Sequence, residues 1–132
     1  MDTNKKYDLE DRLVNFACMS LEVCDLLPFT KGAQNLAYQL SKSSTSAALN
    51  YGEAQAAEST ADFIHKLGIV LKEIRESRIN LRIINKKPLI KHGIAMQTLN
   101  ECNQLMAIFM ASIDTVKKNN TPILKKKNPP NN

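Results

Sequence analysis

The sequence has no apolar run approaching the ~20 residues that a membrane-spanning helix requires. Its first stretch, MDTNKKYDLEDR, lacks the apolar core of a secretory signal. Glycine is scarce, at four residues in 132, and none builds a Gly-x-x-x-x-Gly-Lys phosphate loop or a dinucleotide fingerprint. Alternating β-branched runs are few, so no strands are expected. Cysteine is limited to Cys18, Cys24 and Cys102. An odd number set among apolar neighbours argues against a disulfide framework and for reduced thiols in a soluble, cytoplasmic protein.

What is present is a helical pattern. With 43% hydrophobic and 23% charged residues in 132, the chain supplies one ordinary core and not two. Leu9, Leu13, Phe16, Ala17, Ser20, Val23, Cys24 and Leu27 repeat at three and four, which predicts a first helix over Leu9–Leu27 capped by Asp8. After the turn PFTKG, with Thr30 as cap, a second helix is expected over Ala33–Tyr51. Its later inward face (Ser43, Ser44, Ala47, Ala48) is made of small residues that allow close approach of another axis.

A corner from Gly52 to Glu58 precedes a third helix over Thr60–Lys86, capped by Ser59 or Thr60 and ended by Pro88. Phe63, Leu67, Val70, Leu71, Ile74, Leu81 and Ile84 form its core stripe, while Ile69, Asn80 and Ile83 fall nearly opposite and predict a subunit contact. A fourth helix is expected from Lys91 or Gly93 to Lys118, burying Met96, Leu99, Cys102, Leu105, Met106, Phe109, Met110, Ile113 and Val116. The expected architecture is all-α, an antiparallel up-down-up-down four-helix bundle over residues 8–118. Residues 1–7 are expected to be flexible, and the Pro-rich basic tail, 119–132, disordered.

Charge is unevenly placed. Residues 1–114 balance at 13 bases and 13 acids, so the net +5 comes from Lys117, Lys118, Lys125, Lys126 and Lys127. Residues 66–91 carry eight bases against Glu73 and Glu76, whereas residues 1–65 carry five bases against nine acids. Such asymmetry suits a polyanion or head-to-tail association of copies.

No constellation carries catalysis. Asp62 and His65 have the spacing of half a di-iron motif, but the bundle lacks a second copy and inward carboxylates. His92 is expected to be solvated in the loop beside Lys91. Cys18 and Cys24 are six apart, off one helix face, and resemble no zinc site. The serines between Ser41 and Ser46 have no nucleophile elbow or partnered histidine. Glu53 and Glu58 flank the corner without an oxyanion donor, which favours a tie to a basic side chain. No metal, cofactor or small-molecule substrate is expected.

Around Ser46–Gln55, SAALNYGEAQ, the chain resembles the 23S rRNA intervening-sequence proteins, whose pattern is a basic residue followed by Ser-Ile-x-x-Asn-Ile-Ala-Glu-Gly. Ser46, Asn50 and Glu53 match, with Lys42 in the basic position, and the likeness continues through Ser59, Phe63, Leu67, Ile69 and Glu76. The family's closing glycine is Ala54 here, and its Gly-Ser in the third helix is Lys72-Glu73, as in a divergent branch. The resemblance implies an up-down four-helix bundle in a ring-like homo-oligomer, commonly a pentamer, encoded in bacterial genomes and without established enzymatic activity. Related accessory proteins of diversity-generating retroelements bind nucleic acid and a reverse transcriptase.

Two functions follow as expectations. Lys72, Arg75, Arg78, Arg82 and Lys86 recur along one side of the third helix and, with Lys87, form a candidate stripe for RNA or DNA phosphates. No aromatic interleaves them to stack on bases. Alternatively, the chain is a scaffold in which that basic face meets Glu10, Asp11, Glu22 and Asp25 of a neighbouring copy.

Overall fold

The computed structural model of the chain describes residues 8–127, with side chains through Asn119. Four helices account for it: α1 (Leu9–Leu26), α2 (Lys31–Gln55), α3 (Thr60–Lys86) and α4 (Ile94–Lys127). Among the described residues there is no strand, and no helix is long and apolar enough to cross a membrane.

The expected caps form. Asp8, Thr30 and Ser59 each accept the backbone N–H of the residue three positions on, from Asp11, Ala33 and Asp62. These bonds satisfy amides that the first turn leaves without partners. Leu27 leaves α1 in extended geometry, as the residue before a proline prefers, and Pro88 follows the end of α3. The connections, of four, four and seven residues, reach at most about 14 Å and about 25 Å, whereas α2 with its 25 residues is about 37 Å long. Consecutive helices that pack together across such loops must therefore run antiparallel. Since α1 also packs on α4, the up-down bundle closes, with α1 and α3 on opposite corners.

Phe16, Val23, Leu40, Ala47, Val70, Ile74, Leu81, Leu105 and Phe109 fill the axis with no exposure. The small face of α2 meets α3 closely enough that the Ser43 and Ser77 hydroxyls lie 2.7 Å apart. Tyr51 and Phe109 pack edge to face, with ring centres 5.5 Å apart.

Four expectations are corrected. Gly52 does not begin a corner: α2 continues through it to Gln55, because the alanine-rich sequence beyond it favours helix and Ala54 is buried. No glycine among the described residues needs a positive φ. Met96 and Met110 are exposed, since they lie at the edges of the α4 stripe rather than at its centre. Asn80 is only 7% exposed. Its Nδ2 donates to the Glu76 carbonyl one turn back on α3, and it borders the groove toward α2 rather than standing exposed on the outer face. Finally, α4 passes Lys118 and continues to Lys127, since no left-handed residue stands there to stop it. The flexible start expected at 1–7, and residues 128–132 of the expected tail, lie outside the described residues.

One link between α1 and α4 has no simple sequence signature. Arg12 donates from Nε to Glu101 at 2.8 Å, and from a terminal nitrogen to Glu101 at 3.0 Å and Gln104 at 2.8 Å. The hydrogen bond to Glu101 raises the guanidinium pKa. A bidentate, partly buried pair exceeds an ordinary surface bridge. Arg12→Ala is expected to cost about 1 kcal/mol, read as a lower urea midpoint with unchanged slope; an unchanged midpoint would show the fork to be idle.

Candidate functional site

The basic row of α3 is divided by the fold. Lys72, Arg75, Arg82 and Lys86 are exposed, and Lys87 is exposed just beyond the helix end. Arg78 turns aside: its Nε donates to Asn103 Oδ1 at 2.8 Å, pinning it against α4. Lys72 approaches Glu76 at 3.9 Å, one turn along. Among the described residues, Arg75, Arg82, Lys86 and Lys87 have no acidic partner.

Between these cations stand Ile79 and Ile83, 48% and 45% exposed. Ile83 was expected on this outer face. Ile79 was missed, because it lies on the polar side of the stripe and carries no periodic signal of its own. Ile69 is only half-buried and sits toward the flank. On the α2 side the two isoleucines border a groove of about 550 Å³ with Leu36, Gln39 and Asn80. On the α4 side they border another of about 490 Å³ with Arg82, Lys86, Met96 and Leu99. The outer face of α3 is therefore an apolar ridge between two grooves, bracketed by positive charge. No aromatic residue lines either groove.

The remaining candidates are dispersed. Asn50 Nδ2 donates to the Ser46 carbonyl at 2.9 Å and to its hydroxyl at 3.0 Å. Glu53 pairs with Lys66 at 3.3 Å, tying the end of α2 to α3. The carboxyl of Glu73 on α3 is raised chiefly by burial and then by the charge of Glu76. Lys42 is exposed on α2. Of these contacts the Glu53–Lys66 pair crosses between helices, whereas those of Asn50 with Ser46 lie within α2.

His65 is exposed. It does not line the shallow hollow beside Glu58, which Ala54, Ser59, Thr60, Phe63 and Val116 border. His92 has a role that its loop position hid: its Nδ1 accepts the Ile94 N–H at 3.2 Å and caps α4. No cluster of three metal-ligating side chains occurs among the described residues. Cys24 and Cys102 are pushed up to about 11 and about 12 by burial, while Cys18 is exposed on α1.

This helix order, with Asn50 bonded to Ser46 along α2 and Glu53 paired to Lys66 of α3, coincides with a family match. A model of the 23S rRNA-intervening sequence protein family matches residues 5–111. The chain belongs to that family. A similar fold occurs in the crystal structure of a protein of unknown function from the S23 ribosomal protein family of Bacteroides thetaiotaomicron. Identity is 27% at a TM-score of 0.72, over 79% of this chain and 96% of that one. No curated protein matches the chain. In this member of the intervening-sequence family, Glu53 ties α2 to α3 through Lys66, and the outer face of α3 is where charge and exposed apolar surface coincide.

Proposed function

We propose that the chain is a non-enzymatic cytoplasmic scaffold whose α3 outer face binds protein, with further copies of itself forming the assembly. The observation that carries this reading is the exposure of Ile79 and Ile83 in the centre of the basic row. A face that only tracks phosphates has no use for two isoleucines bordered by grooves. A protein interface gains from an apolar centre and a charged rim. The family's ring-like homo-oligomers support the same reading.

A second reading, binding of RNA or DNA, is favoured by Arg75, Arg82, Lys86 and Lys87, which find no acid in their own chain. Such binding would be salt-dependent and weakly selective. One experiment separates the two: light-scattering mass of wild type, Ile79→Glu/Ile83→Glu and Arg75→Ala/Arg82→Ala, with and without a mixed RNA and DNA pool. The scaffold reading expects a wild-type mass well above the 14.8 kDa of one chain. It expects a fall to the monomer in the double glutamate variant, with a native helical spectrum. A glutamate variant that keeps the wild-type mass contradicts it. Nucleic acid that co-elutes with wild type and is lost on removing Arg75 and Arg82, while mass is unchanged, transfers the face to the second reading.

A further inference from the structure

The self-assembly reading leaves open which surface receives the ridge. A complementary surface must offer exposed apolar residues bracketed by acids, over a matching length. On α3, Lys72 and Lys86 bracket Ile79 and Ile83, and are separated by about four turns, or about 21 Å.

The outer face of α1 has the matching pattern. Val14, Cys18 and Leu21 are exposed and recur at four and three. Asp11 stands one turn before them and Asp25 one turn after, also about 21 Å apart, with Glu10 and Glu22 alongside. All four acids are exposed, and among the described residues none pairs with a base. The single base of α1, Arg12, is held by Glu101.

The other helices do not match. The outer face of α2 exposes Tyr38 and Leu49, but its charges there are Lys31 and Lys42, with no acid before Glu53. On α4, Glu101 is already paired with Arg12, and Asp114 is followed by Lys117 and Lys118.

Resting on the self-assembly reading, we propose that the basic, isoleucine-bearing face of α3 docks on the acidic face of α1 from a second copy. The interface is head to tail: each copy uses one face as ridge and the other as receiver. Because α1 and α3 occupy opposite corners of the bundle, both faces of a copy can be engaged at once. The contact therefore propagates, into a closed ring if the rotation per copy divides the circle and into a filament if it does not. Association should be favoured at low salt, since the rim charges are exposed.

Cys18 lies in the centre of the receiving face and is the exposed cysteine among the described residues, so it reports directly on the contact. Ile79→Cys and Ile83→Cys are each prepared with Cys18 intact, again with Cys18→Ser and again with Cys18→Ser/Cys24→Ser, treated with a short bismaleimide, and resolved on denaturing gels beside a light-scattering mass. The proposal expects a ladder of covalent dimers, trimers and higher species with at least one engineered cysteine, reduced to monomer in the Cys18→Ser partner. A closed ring stops the ladder at its subunit number.

Dimers that persist when Cys18 and Cys24, the half-buried thiol of α1, are both replaced by serine place α3 against α3 and overturn the proposal. Wild-type dimers through Cys18 alone place α1 against α1 and also overturn it. No cross-link at either position with an oligomeric mass moves the interface elsewhere while leaving self-assembly standing. A monomeric mass for wild type removes both readings.

Discussion

Phe109→Ala is expected to lower the unfolding free energy by about 3–5 kcal/mol, a large part of the 5–15 kcal/mol that stabilises a typical domain. Phe109 is fully buried at the bundle axis, and its ring packs edge to face with that of Tyr51. The neighbours that close the cavity come from four helices, so no single side chain can relax to fill it. Urea titration monitored by helical signal measures the change. Tyr51→Phe, which keeps the edge-to-face contact, should cost under about 1 kcal/mol. An alanine variant within about 1 kcal/mol of wild type would mean that α4 is not packed at that level.

Ser77→Leu is expected to cost about 1–3 kcal/mol through overpacking, or more if α2 and α3 must separate. Ser77 is fully buried, with its hydroxyl against that of Ser43. The close approach depends on small residues from both helices, and a leucine has no free volume there. Ser77→Ala is the control: Ser43 keeps a bond to the Leu40 carbonyl at 3.4 Å, so the loss should be about 1 kcal/mol. Calorimetric melting distinguishes them, and a leucine variant as stable as the alanine one would refute the close contact.

Much of the fold was legible because one-dimensional signals suffice for it. The three- and four-residue repeat of α1 names its buried side correctly from Leu13 to Leu27. The caps Asp8, Thr30 and Ser59 follow from side-chain chemistry that acts within three residues. Gly52 was misplaced because glycine is a weak breaker, and the buried Ala54 beyond it outweighs the local preference.

The candidate site was legible only as charge. The cations of α3 could be counted, but which of them remain free depends on the neighbouring helix. Asn103 withdraws Arg78, α2 covers Asn80, and neither leaves a trace in the periodicity of α3. Ile79 became part of the surface only once α2 and α4 had taken positions on either side of it. Arg12 and Glu101, far apart in sequence, met for the same reason.

Sequence by itself determined four amphipathic helices, the caps of the first three, the family and the separation of basic from acidic segments, since each depends on spacing along one helix or on composition. Tertiary structure decided which charges are paired, which apolar residues stay exposed, and that α1 and α3 turn their outer faces in opposite directions. Those properties depend on which helices are neighbours, and neighbour relations arise from packing of the whole core rather than from the pattern of any one helix.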